Sequence, residues 1–209
     1  MTTRYDDAVY FGGSLYAGET AISAQTRATI LKQDDNKRFP VNFMTFRVWD
    51  AAQTNLPGTA ASDDLAIING TWGSTPPLIQ AGDLKAAGAT SRYARVEVRL
   101  PECYVAGETV TFVISAGMKT TVADTACTVD LEVYKRDKIS GISSDLCATS
   151  AQSINSLVFA DKTFNITATS LSAGDVLDVR VAIACNDAAT VTAVNPTIAG
   201  FDLVCDIKG

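Results

Sequence analysis

The side chains best suited to chemistry here are five cysteines and a scatter of carboxylates, and no histidine stands beside them. That absence removes Ser-His-Asp and Cys-His catalysis, histidine zinc sites and a histidine pH switch. Cys103, Cys127, Cys147, Cys185 and Cys205 contain no CxxC spacing and are odd in number. Three of them fall in phase with apolar strand positions: Cys127 with Val129 and Leu131, Cys185 with Val181 and Ile183, and Cys205 with Leu203 and Ile207. They read as small buried hydrophobes, with a disulfide between facing strands as the alternative. A catalytic thiolate would need an activating base or a basic pocket, and neither is evident.

Paired carboxylates could hydrolyse a glycoside. Asp130 with Glu132 and Asp175 with Asp178 are the candidates. Asp130 and Glu132 sit two apart on a strand, on its polar side, where solvation alone accounts for them. GxSxG, GxGxxG, P-loop and HExxH motifs are all missing, and no calcium-loop spacing occurs. The expectation is a protein that is not an enzyme, with no catalytic residues, no cofactor and no metal. Trp49 and Trp72, at strand ends, either cover a core edge or stack on a sugar.

The elements that position these residues are strands. In 92–100, Ala94, Val96, Val98 and Leu100 face one way, and Tyr93, Arg95, Glu97 and Arg99 the other. The same period of two runs through 108–115, 126–135, 174–185 and 201–207. One apolar and one polar face per strand predicts antiparallel sheets with one wet side, stacked as a sandwich. Val41–Trp49 and Leu65–Trp72 are further strand candidates. Residues 51–64 read as a polar loop, and 73–91 as a long connection with a short helix near 83–87. Residues 139–158 break the pattern and suit a loop or one short helix. Ala-Gly-acid recurs at 17–19, 81–83, 106–108 and 173–175; glycine permits a positive φ there, and the acid opens the next strand.

The first 38 residues alternate poorly. They read as an irregular N-terminal arm, with a weak helix over 23–32, ahead of one β-sandwich domain over 39–209. Tyr5, Tyr10, Phe11 and Tyr16 are spaced along this arm and are the candidate interface residues, either folding back on their own domain or docking on a neighbouring subunit. The composition supports a core: 47% of the 209 residues are hydrophobic and 19% charged. The net charge of -6 argues against nucleic acid. Apolar runs of a few residues fall short of the roughly 20 needed to span a membrane. The N-terminus carries no secretion signal pattern, so the expected compartment is the cytosol. A mean hydropathy of +0.13 leaves apolar surface over for a partner.

Residues 92–135 and 171–209 resemble the jelly-roll capsid decoration (cement) or head-fibre proteins of tailed bacteriophages. The resemblance implies an all-β, jelly-roll-like antiparallel sandwich assembled into virions in the host cytoplasm. It implies partners too: copies of itself, as a trimer, and the capsid protein, with an arm that reaches a neighbour. The alternative is a carbohydrate-binding or adhesion β-sandwich with an exposed platform at Trp49, Trp72 or Tyr134.

Overall fold

The computed structural model describes residues 9–11, 14–17, 20–21, 36–137, 139 and 141–208, the leading ones by backbone alone. Two six-stranded antiparallel sheets pack face to face. The first takes β4 (Asn36–Pro40), β7 (Ala66–Asn69), β8 (Pro77–Gln80), β10 (Val110–Met118), β13 (Ala160–Ile166) and β15 (Pro196–Asp206). Its order is β13-β10-β15-β8-β7, with β4 beside the far half of β15. The second runs β12 (Gln152–Ser153), β11 (Ala126–Arg136), β14 (Val176–Asp187), β9 (Gly88–Arg99), β5 (Arg47–Val48), β6 (Ala51–Asn55). Within the arm, β1 (Val9–Phe11), β2 (Ser14–Ala17) and β3 (Thr20–Ala21) form a small antiparallel sheet of their own. The weak helix over 23–32 lies outside the described residues.

The alternating strands do what their pattern demands. Ala94, Val96 and Val98 of β9, Cys127, Val129, Leu131 and Val133 of β11, and Leu177, Val179, Val181, Ile183 and Cys185 of β14 are all buried. Facing them are Val110, Phe112 and Ile114 of β10 with Phe201, Leu203 and Cys205 of β15. Phe201 joins the layers: its ring lies 5.3 Å from Phe46 and 5.5 Å from Phe112. An irregularity opposite Ser115 and Ala116 shifts the register of β15. Ile198 and Phe201 can then both point inward although they are three residues apart.

Several expected elements differ. Val41–Trp49 is not one strand. The Asn42 side chain accepts the Met44 N–H at 2.9 Å and caps a 3-10 turn over Phe43–Thr45. The turn buries Phe43 and Phe46 and carries the chain from the first sheet to β5 in the second. The polar loop from 51 contains β6, an exposed edge strand paired to β5. The connection at 73–91 holds β8 and the start of β9 rather than a helix, because Asp83 Oδ1 accepts both Lys85 N–H and Val194 N–H and holds the chain in a turn. The break at 139–158 contains only the two-residue β12, with no described helix. β4 already pairs β15 from Asn36, so the first sandwich strand crosses the expected division at residue 38. The Ala-Gly-acid turns do use positive φ, at Gly107 (φ 78) ahead of β10 and Gly174 (φ 76) ahead of β14.

One buried carboxylate ties three loops together at an end of the sandwich. Asp187 accepts N–H groups from Ala86 at 2.7 Å and Asp124 at 2.9 Å, and the Thr190 hydroxyl. Asp124 in turn accepts the Ala188 N–H at 2.9 Å. Burial alone would raise the Asp187 pKa, but the Thr190 hydroxyl and the two backbone donors outweigh it and hold the carboxyl below its ordinary value. A depressed folded pKa contributes stability that is present above the unfolded value and lost as pH falls through the folded one. Chemical denaturation of the wild type and Asp187→Asn should therefore show a stability gap that is constant near neutrality and narrows below about pH 4. A gap that does not change with pH would place its origin outside this ionisation.

Candidate functional site

The outer face of the second sheet brings charged and aromatic side chains together from adjacent strands. Alternation on β9, β14 and β11 sends Tyr93, Arg95 and Glu97, then Asp178 and Arg180, then Asp130, Glu132 and Tyr134 to this side. Strand register sets them in rows. Glu132, Arg180, Arg95 and Arg47 are aligned across β11, β14, β9 and β5. Tyr134, Asp178 and Glu97 form the neighbouring row.

Direct opposition would set Arg95 against Arg180 and Asp178 against Glu97, which repels. Oppositely charged pairs relieve it, one diagonal, one directly opposed and one reaching across β14. Arg95 grips Asp178 with two parallel hydrogen bonds, the Nε bond being 2.6 Å. Arg180 pairs with Glu132, and Arg136 reaches across to Glu97. The Asp178 hydrogen bonds raise the Arg95 pKa further. Tyr134 Oη hydrogen-bonds Glu132 Oε2 at 3.2 Å, and burial, then the Glu132 charge, push its phenol up. Arg47 donates to the Met44 and Phe46 carbonyl oxygens at 3.0 and 2.9 Å, which fixes it over the 3-10 turn.

Aromatic rings border this lattice. Trp49 follows β5 and is half-buried; its Nε1 donates to Asp63 at 3.0 Å, and its ring lies 5.3 Å from that of Tyr93. The Arg180 guanidinium stands 5.3 Å from the Trp49 ring centre and 4.9 Å from that of Tyr93. Two hollows share Glu132 and Arg180 as their common wall. One of ≈ 210 Å³ includes Tyr93 and Asp130, and one of ≈ 240 Å³ includes Trp49, Tyr134 and Asp178. A larger hollow of ≈ 370 Å³ lies in the β7–β8 hairpin, but Gly70–Pro77 bring no charged group to it.

The sequence candidates land as follows. Asp130 and Glu132 share this face, but Glu132 is bound by Arg180 and Tyr134, and Asp130 accepts its neighbour Leu131's N–H at 2.9 Å. Burial raises the Asp130 pKa. Asp175 and Asp178 do not meet as a pair: Asp175 holds Lys135 at 2.7 Å and Asp178 holds Arg95. Of the two readings of Trp72, core edge or exposed sugar platform, burial at a core edge does not hold: the side chain stands 97% exposed at the hairpin tip, where the tight Gly70–Gly73 turn leaves no layer to cover it. Burial pushes the Cys205 thiol up to about 11, and raises that of Cys147 as well. Tyr10 and Phe11 lie in β1 and Tyr16 in β2, while Tyr5 lies outside the described residues. Arg95, Arg180 and Asp178 were visible as polar-face residues, but single-strand alternation does not reveal which charges meet.

No protein-family model and no curated protein sequence matches this chain. Solved structures similar to it include the CBM22-1 and CBM22-2 xylan-binding domains from Paenibacillus barcinonensis Xyn10C, both at 11% identity. The first covers 83% of this chain and 99% of its own, with a TM-score of 0.39. The second covers 81% and 98%, with 0.44. The xylan-binding module CBM15 is similar at 14% identity over 83% of this chain and 99% of its own, with 0.37. Likeness this distant assigns neither a family nor a ligand.

A double-mutant cycle tests the lattice. The Arg95–Asp178 pair is two-pronged, with side chains 29% and 15% exposed, and should couple by about 1–2 kcal/mol in denaturation experiments. Arg136–Glu97, 42% and 49% exposed, should couple by under about 0.5 kcal/mol. Equal couplings would mean that the lattice adds nothing beyond ordinary surface pairing.

Proposed function

We propose that this protein is a non-catalytic glycan-binding β-sandwich that holds a neutral oligosaccharide against the outer face of its second sheet. The observation that carries the reading is the mixture on that face: half-buried Trp49, Tyr93 and Tyr134 interleaved with arginines already paired to carboxylates. A sugar ring has an apolar C–H face and a hydroxyl rim. Aromatic rings suit the first, and carboxylates and guanidiniums with spare acceptors and donors suit the second. Pairing holds these polar groups in place before a ligand arrives, so little ordering entropy is lost on binding. It also cancels their charge, so the face favours an uncharged ligand whose binding is insensitive to salt. The reading rests on this face and not on the distant fold likeness.

Calorimetry on a panel of neutral and acidic oligosaccharides tests it. A neutral sugar should bind, and Trp49→Ala should weaken it about tenfold or more. Trp72→Ala, far out on the hairpin, should leave affinity unchanged. A panel with no binder, or an affinity untouched by Trp49→Ala, refutes the proposal.

A second reading, attachment to a protein shell as a capsid decoration subunit, draws on another observation. Val122, Leu157, Val158 and Val191 are 39%, 58%, 74% and 88% exposed on loops at one end of the sandwich. Those loops are bonded to each other: Asn155 exchanges hydrogen bonds with Ala123 at 2.8 and 2.9 Å, and Thr192 meets Thr121 at 3.2 Å. Apolar side chains held together on stiff loops mark a contact surface. Under this reading the wild type sediments as an oligomer, a trimer by the resemblance, and Leu157→Asp with Val158→Asp shifts it to monomer. A wild type that stays monomeric at every concentration removes the reading.

A further inference from the structure

Cys127 and Cys185 lie directly opposite each other on the adjacent antiparallel strands β11 and β14. Both side chains are buried on the inner face, 0% and 3% exposed, and both are free thiols. Opposed residues in such a ladder alternate between pairs that exchange backbone hydrogen bonds and pairs that do not. The direction of the backbone groups decides which kind this is. The Cys127 carbonyl accepts the Ile154 N–H at 2.9 Å, on the side away from β14. Six residues on, with the same parity, Val133 points its carbonyl at Leu146 N–H and its own N–H at Asp145, again away from β14. Cys127 and Cys185 are therefore a pair without mutual backbone bonds. That is the closer kind, with Cα atoms about 4.5 Å apart, inside the range of about 4.4–6.8 Å that a disulfide spans.

We propose that Cys127 and Cys185 form a latent cross-strand disulfide site, closed by exchange with a small disulfide such as oxidised glutathione while the chain folds. In the first step a cysteine thiolate attacks glutathione disulfide, and one glutathione leaves as thiolate. In the second, the other cysteine loses its proton and attacks the protein-bound sulfur, expelling the second glutathione. Two protein thiols and one glutathione disulfide become one protein disulfide and two glutathiones. Burial shields both sulfurs once the sandwich has closed, so exchange belongs to the folding chain and the finished bridge resists reductant. The bridge would tie together the two strands that carry Glu132 and Arg180 on their opposite face. By closing a long chain loop it would also restrict the unfolded state.

The experiment refolds the full chain in a glutathione redox buffer, then maps crosslinks by digestion without reduction. The expected result is a Cys127 peptide joined to a Cys185 peptide and an intact mass lighter by two hydrogens. The Tm should rise by several degrees, and return to the reduced value after unfolding and refolding with dithiothreitol. C103A/C147A should behave alike, while C185A should lose both the crosslink and the redox-dependent step in Tm, whatever its own baseline. Free thiols at both positions after oxidative refolding, a bridge joining other cysteines, or a 127–185 bridge with no gain in Tm would each overturn the proposal.

Discussion

The register of the β11-β14-β9 ladder is the constraint on which the rest of this structure depends. β14 pairs with β9 from Val176 to Asp187 and with β11 from Val176 to Asn186. Side chains alternate across a sheet, so a slip of one residue would turn Val179, Val181 and Ile183 to water and Asp178 and Arg180 into the core. Neither is tolerable: the first forfeits most of the apolar burial on this layer, and the second buries charges without partners. One register thus sets the core and the outer face together. The facing sheet follows, because Phe112, Phe201 and Leu203 have their apolar complement only in that arrangement.

The outer face then has to manage a side effect of its own register. Arg95 stands opposite Arg180 and Glu97 opposite Asp178, so the direct rows repel. The relief comes from a diagonal pair, Arg95–Asp178, and a directly opposed one, Arg180–Glu132, which hold long side chains across neighbouring strands. Arg180 has the most connected position, between Glu132 on one side and the Trp49 and Tyr93 rings on the other. Its apolar stem and flat guanidinium both pack, which the same charge on a lysine would not reproduce. A face built this way is cross-linked by ion pairs and electrically balanced. The proposed binding of an uncharged, hydroxyl-rich ligand relies on that balance.

The loops at the Asp187 end serve a different purpose. Backbone donors of Ala86 and Asp124 converge on one carboxylate, and Asp124 reciprocates to Ala188. Three connections that would otherwise move independently become one unit. Exposed Leu157, Val158 and Val191 ride on loops at this end, so their positions are held without a layer above them. The molecule therefore offers two unlike surfaces, a polar-aromatic sheet face and an apolar end.

Much of this was legible in the chain because alternation is a local property. The strands at 92–100, 108–115, 126–135, 174–185 and 201–207 could be read residue by residue, and their apolar phases match the buried set, with Ile207 partly buried at the rim. The sandwich class followed from those phases alone. Short elements were not legible: β5 and β6 are too brief to show a period, and the Asn42 cap interrupts what looks like a continuous strand. Which strands pair, and in what register, depends on residues far apart in sequence. For that reason only the tertiary structure decided that Arg95 meets Asp178, that Arg180 lies over Trp49, and that Cys127 faces Cys185. Periodicity determines which side of a strand a residue occupies; the ladder determines what it touches there.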